Sequence, residues 1–186
     1  MKSVVLCIVL LGGVLCQGQP KVAPRTEAHP RLKPFELHAV NSTDTVNLKK
    51  LAGKVVVFDF FFPTCGECIV ELPRLCELEK KFSSNNFELY LVNIVPEQDS
   101  MVGPMFKKAG CSLPTLHTDA MPWAIHWIGK EYWGPDGAPE TLLIDQESRI
   151  VSHIYMNTAK NRALADEKIA ALLKSGATPG TPQKKQ

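Results

Sequence analysis

Two cysteines separated by two residues, Cys65 and Cys68, stand in the run PTCGECIVELP, directly after the strongly apolar stretch Val55 to Phe62 (VVVFDFFF). A pair at this spacing can serve as a redox couple, a structural bridge or half of a zinc site. The apolar run reads as a central strand covered on both faces, and Cys65 to Phe82 reads as a helix with Leu72, Leu75, Leu78 and Phe82 on its core side. Cys65 then falls near a helix N-terminus and Cys68 one turn inside. Unpaired backbone N–H groups and the helix dipole favour a thiolate there, lowering the Cys65 pKa below the free value of ~8.5. Cys65 is thus the expected nucleophile. Cys68 can attack a mixed disulfide formed at Cys65 and close an intramolecular disulfide. A zinc site wants a second ligand pair at matching spacing, and none is evident near His117, His126 or His153, nor do His29 and His38 show metal spacing. No cofactor is needed for the redox reading.

Carboxylates surround this pair in sequence. Asp59 is the only charged residue of the apolar strand, so burial should raise its pKa and suit it to act as general base for Cys68, the alternative being a hydrogen-bonded structural aspartate. Glu67 and Glu71 read either as substrate-facing groups or as solvated residues at the favourable end of a helix dipole. Three carboxylates near the thiols, with no Lys, Arg or His inside the motif, oppose thiolate formation and so destabilise the reduced form, which predicts a reducing couple. Cys76 and Cys111 read as spectators, a bridge between them being the minority expectation. Trp123, Trp127, Trp133 and Tyr132 read mainly as packing residues.

These groups must be held by the elements around them. The chain has 186 residues, 45% hydrophobic and 22% charged, enough for one domain with a real core. A net charge of +2 gives no reason to expect nucleic acid as a partner. Lys2 followed by the apolar run Val4 to Leu15, with Cys16 and Gly18 suitably small before a cleavage point, predicts a signal peptide over 1–18 or a retained N-terminal membrane anchor. Prolines 20, 24, 30 and 34 mark 19–34 as a linker, 175–186 reads as a disordered tail, and 35–174 as the folded unit. Within it, residues 35–51 form a small extra hairpin and turn, Phe87 to Ile94 a second strand, and Ser100 to Ala109 a second helix ended by Gly110. Thr141 to Ile144 and Ile150 to Tyr155 pair as an antiparallel hairpin. Lys160 to Lys174 is a closing helix with Leu164, Ile169, Leu172 and Leu173 on its apolar side. The alternation of strand and helix predicts an α/β domain.

The run FDFFFPTCGECIVELP with GAPETLLID far downstream resembles the thioredoxin superfamily, and within it the exported TlpA/ResA/CcmG(DsbE)-type thiol-disulfide oxidoreductases. The resemblance spans nearly all of 35–174. It implies a thioredoxin-like fold, a mixed central sheet with flanking helices, in which Pro139 forms a cis peptide with Ala138 beside Cys65 and presents backbone to an extended substrate; Trp133 would lie near that loop. Pro73 matches the proline of the active-site helix, and Glu71 an acidic residue near the site. GAPET is similar to the branch that keeps apocytochrome c cysteines reduced. Thr64 stands where the family usually has tryptophan, Phe61 and Phe62 replace a Trp-Ala pair, and Glu67 replaces a frequent proline, which places Thr64 among the groups that would meet the substrate.

The expected activity is disulfide reduction in a client protein such as apocytochrome c, by a monomer in the periplasm or on the outer face of the cytoplasmic membrane. An oxidising compartment would leave the pair as disulfide, so a membrane thiol electron donor is the second expected partner. The rival readings are a Cu(I)-binding chaperone, a disulfide oxidase or isomerase, and a thiol peroxidase. The first wants a wider cysteine spacing with a histidine, and the last a threonine three residues before its cysteine; neither is seen here.

Overall fold

The computed structural model describes residues 31–84, 86–117 and 138–176. The expected signal segment, most of the linker, Trp123, Trp127, Tyr132, Trp133, His29, His126 and the last ten residues lie outside these. Among the described residues no helix is long and apolar enough to cross a membrane.

Among the described residues, seven strands form one mixed sheet. They are β1 (Glu36–Ala39), β2 (Thr45–Asn47), β3 (Val55–Phe61), β4 (Phe87–Asn93), β5 (Thr115–His117), β6 (Glu140–Ile144) and β7 (Ile150–Ile154), in the order β2-β1-β5-β4-β3-β6-β7. Strands β3, β4 and β5 run parallel, whereas β6 pairs antiparallel with both β3 and β7, and β1 antiparallel with both β2 and β5. The parallel core and the β6–β7 hairpin agree with the sequence reading. The short β5 was not among the expected strands.

Every residue of β3 is buried, as a run of β-branched and aromatic side chains between two covered faces requires. Its alternation sorts the core. Val55, Val57 and Phe61 face a cluster built on α2 (Gly66–Phe82), α3 (Val102–Ala109) and α4 (Ala159–Ser175), with Leu72, Leu75, Leu78, Met105 and Ile169. Val56, Phe58 and Phe60 face a second cluster with Leu32, Leu37, Val46, Leu116 and Leu142. Asp59 falls on the first face, toward the helices. A four-residue helix, α1 (Leu48–Leu51), is capped by the Asn47 side chain and contributes Leu51 to the core.

Three expectations need correction. Leu164, assigned to the apolar side of the last helix, is 41% exposed, and Ala165 takes the inward position. Leu32, assigned to the linker, is buried and its N–H donates to the Ser148 carbonyl at 2.8 Å, so chain before Phe35 belongs to the packed body. Cys76 and Cys111 are not spectators but a disulfide that ties α2 to the loop after α3. The eight positions from Cys68 to Cys76 turn Cys76 off the main apolar stripe, yet α3 packs beside α2 and brings Cys111 within reach. The C-terminal end of α3 behaves as expected, with Gly110 in the left-handed region at φ 70°.

Candidate active site

The site is built where β3 ends and α2 begins. After Phe61 the chain makes a tight turn in which the Cys65 N–H donates to the Phe62 carbonyl at 2.9 Å, and α2 follows immediately. Cys65 is the N-cap: its Sγ accepts from the Cys68 N–H at 3.1 Å, the group that a serine or aspartate oxygen would otherwise satisfy. The two cysteines form a disulfide with Cα atoms 5.3 Å apart, and both are nearly inaccessible, at 7% and 5% exposure. A sulfur at this position faces the positive end of a seventeen-residue helix, so charge placed on it is stabilised in the reduced protein.

Strand β6 supplies the opposite side. The Ala138–Pro139 peptide is cis, and the Ala138 carbonyl oxygen lies 3.8 Å from Cys65 Sγ. With the sulfur in a disulfide this is a contact and not a hydrogen bond, because no proton is present to donate.

Asp59, 1% exposed, receives the Thr141 hydroxyl at 2.6 Å across the antiparallel β3–β6 pair. Burial pushes its pKa well above the ordinary carboxylate range, the neighbouring Glu71 adds to the rise, the Thr141 hydroxyl opposes it, and Glu140 contributes a smaller increase. Glu71 is buried, not solvated as one of its sequence readings had it. Among the described residues neither of its oxygens has a hydrogen bond of good geometry. Burial raises its pKa to about 7 against the pull of the Arg162 guanidinium and the Met156 backbone. Glu67, by contrast, is exposed at the helix start.

Glu67, Val70, Glu71, Arg74, Pro139, Met156 and Arg162 line one cavity of about 260 Å³ beside the disulfide. Val70 stands at its rim, 81% exposed. Arg162 donates to the Met156 carbonyl at 3.2 Å, while Arg74 is engaged by Asp166 at 2.6 Å. Thr64 is exposed on the other flank, and both its N–H and its hydroxyl donate to Gln98 Oε1, at 3.2 and 3.1 Å.

All eight residues singled out in the sequence therefore lie in or around this one locality. Sequence reasoning missed Gln98, Arg162 and Met156, which carry no motif and arrive from distant elements. It also gave no role to Glu140, although it read the GAPET run. Glu140 is fully buried at the start of β6, and its Oε1 meets His153 Nε2 of β7.

The fold is shared with solved structures. A candidate protein disulfide isomerase from Bacteroides thetaiotaomicron superposes with a TM-score of 0.65 at 23% identity, over 80% of this chain and 91% of that one. A thioredoxin-family thiol:disulfide interchange protein from Chlorobium tepidum gives 0.63 at 22% identity, over 78% and 97%. A candidate thiol:disulfide interchange protein DsbE, also from Chlorobium tepidum, gives 0.62 at 20%, over 78% and 96%. At such identities these structures speak to the fold, which is thioredoxin-like as the sequence resemblance implied. The Redoxin family model matches residues 27–171, a span that takes in the described sheet and all but the last four residues of α4, and the chain belongs to the Redoxin family, with a thioredoxin-like fold.

Proposed function

We propose that this protein reduces disulfides in client proteins outside the cytoplasm, with Cys65 as nucleophile and Cys68 as resolving thiol. The reading is carried by one observation: the Cys65–Cys68 pair caps α2 directly against a cis Ala138–Pro139 peptide. In the reduced protein the Cys65 thiolate attacks one sulfur of a client disulfide, forming a mixed disulfide and releasing the other client sulfur as a thiolate, which takes a proton. Cys68 gives its proton to Asp59 and attacks Cys65 Sγ. The Cys65–Cys68 disulfide closes, and the second client sulfur leaves as a thiolate that takes up the proton held by Asp59. Two electrons have passed from protein to client, and two protons have gone to the client thiols. The backbone of Ala138 and Pro139 presents the client segment, with Thr64, Glu67 and Glu71 around it.

The reducing direction is supported by the burial of Asp59 and Glu71 beside the pair, since negative charge and a low dielectric both oppose thiolates and so disfavour the reduced form. The fold tempers this by bringing Arg162 to the same cavity, a cation that inspection of the motif alone could not place there. Spent protein is the disulfide, so a membrane thiol donor is proposed to return two electrons and two protons. The GAPET motif and the apolar N-terminal run support an apocytochrome c client and an exported protein, periplasmic or at the outer face of the cytoplasmic membrane.

Trapping tests the reading. With Cys68→Ala the mixed disulfide has no resolving thiol, so a client is expected to remain attached to Cys65 and to be released by dithiothreitol, and Cys65→Ala should capture nothing. Apocytochrome c among the captured chains would establish the client; a broad mixture would point to general disulfide repair. Absence of any adduct, together with failure of the wild-type protein to cleave a protein disulfide under a thiol supply, would refute the function. A reduction potential close to that of strong disulfide donors would refute its direction.

A further inference from the structure

We infer that Gln98 is a positioning residue of the exchange site, holding the residue that precedes Cys65, and that the turn over Pro96–Met101 forms the wall of the site across from Ala138 and Pro139. The inference rests on the proposed role of Cys65 and adds to it a residue that no motif identifies.

Topology places this turn. Strands β3 and β4 are parallel with Phe61 opposite Asn93, so both chains leave the sheet at the same end, and the Ile94 N–H donates to the Phe61 carbonyl at 2.9 Å. In open α/β sheets the crevice beyond the carboxyl ends of parallel strands is where ligands bind. Here that crevice has β6 with its cis-proline on one side of β3 and the β4 exit on the other. A client reaching Cys65 passes between them.

Contact between the two loops is specific. One oxygen of Gln98 accepts both the Thr64 N–H and the Thr64 hydroxyl, 34 residues away in sequence. The next donor along the chain, the Cys65 N–H, is committed to Phe62, and the Cys65 sulfur to the Cys68 N–H. Among the described residues, the two Gln98 bonds thus join the turn carrying the sulfur to a second element. Gln98 is itself anchored. Its N–H donates to the Val95 carbonyl at 2.8 Å, and its neighbour Asp99 is gripped by Asn93 Nδ2 at 2.7 Å and by His117 Nδ1. Asn93 is fully buried and also bonds both the carbonyl and the N–H of Val95. His117 is the last residue of β5 and pairs with Asn93 in register. The ends of three parallel strands are linked in this way to the backbone beside Cys65.

At the position where the family it resembles usually has tryptophan, this chain therefore uses a small hydroxyl residue with a hydrogen-bonded brace. Exchange needs the attacking sulfur aligned with the S–S axis of its target, and loss of such alignment lowers the rate without changing the chemistry.

A double-mutant cycle on the full-length reduced protein tests this, with Gln98→Ala, Thr64→Val and the two combined. Thr64 is exposed and Gln98 half-buried, outside both core clusters, so the variants retain the fold. Two quantities are read: kcat/KM for reduction of insulin under a dithiothreitol supply, and the rate of Cys65 alkylation by iodoacetamide against pH. A hydrogen bond of ordinary strength corresponds to about a fivefold change in rate. Gln98→Ala is expected to lower kcat/KM about fivefold, mainly in kcat, and to move the alkylation midpoint upward as the N-cap geometry of Cys65 loosens. The double variant should be no slower than Gln98→Ala alone. Losses that multiply, or a Gln98→Ala protein with wild-type rates and midpoint, would overturn the inference. Should wild-type protein reduce no disulfide, the functional reading fails, whereas the alkylation cycle still decides the role of Gln98.

Discussion

At the scale of single residues, the fold has taken two carboxylates close to the disulfide out of water. Asp59 is held above the ordinary range first by burial and then by Glu71, and Glu71 by burial at about 7. A carboxyl raised in the folded state adds stability that is present in full below its unfolded pKa and is lost as pH rises through the folded value. For Glu71 that window runs from the ordinary glutamate value of about 4.3 up to about 7. Urea unfolding of Glu71→Gln is therefore expected to give a higher midpoint than wild type at pH 8 and an unchanged one at pH 4; a variant weaker at pH 8 would mean that the ionised group is satisfied in the fold. Asp59→Asn keeps an oxygen for the Thr141 hydroxyl but cannot take a proton from Cys68. It should stabilise the protein at pH 8 while slowing release of the mixed disulfide about a hundredfold, the scale of a lost general base, as followed by stopped-flow fluorescence. Wild-type release kinetics would remove Asp59 from the reaction. The burial of Asp59 was legible, since a lone charge in VVVFDFFF has nowhere else to go. That of Glu71 was not, because on the helix alone it sits one turn beyond Glu67 and only the approach of Met156 and Arg162 closes over it.

Among the elements, α2 carries the most. It presents the disulfide at its first turn, packs Leu72, Leu75 and Leu78 into the helix-side core, and is fastened at Cys76 to the loop that follows α3. Pro73 offers no N–H within it, yet the helix continues to Phe82 because packing on the sheet outweighs one absent hydrogen bond. The Cys76–Cys111 bridge closes a loop of 35 positions, for which chain entropy gives about 3 to 4 kcal/mol. Replacing both cysteines by alanine is expected to lower unfolding stability by about 2 to 4 kcal/mol and to leave insulin reduction at 25 °C unchanged, because the bridge lies more than two turns from Cys68. Loss of exchange in a still-folded variant would make this second disulfide part of the redox path. Long periodic elements were readable from their patterns: α2, α4, β3 and β4 fall within a residue or two of their expected limits. What failed was short or tertiary. Strand β5 has three residues, too few for a period, and Leu164 lost its inward place to Ala165 because helix rotation is set by packing on the sheet, not by the count of apolar residues.

For the molecule as a whole, one sheet separates two cores of different purpose. The helix-side core supports the redox pair, while the other face is closed by the N-terminal hairpin, α1 and the chain just before it. Their common wall is β3, so the strand that delivers Cys65 is also the one whose burial depends on both layers. Composition reads 31–34 as linker because of its prolines and charges, but Leu32 is 5% exposed, its N–H reaches Ser148 in the β6–β7 turn, and Arg31 bridges Arg149. An apolar residue between charges gives no periodic signal, and its burial is decided by a hairpin more than a hundred positions away. A buried leucine truncated to alanine costs about 2 to 5 kcal/mol in a closed core. Leu32→Ala is accordingly expected to lower stability by about 2 kcal/mol, the lower end, since Leu32 lies at the margin of its cluster and the site can partly collapse. Lys33→Ala, at an exposed neighbouring position, should change it by less than about 0.5 kcal/mol. Urea unfolding followed by circular dichroism measures both. Equal and negligible effects would return the start of the folded unit to Phe35, whereas a loss at Leu32 alone would make the segment entering the sheet a working part of the wall that backs the redox strand.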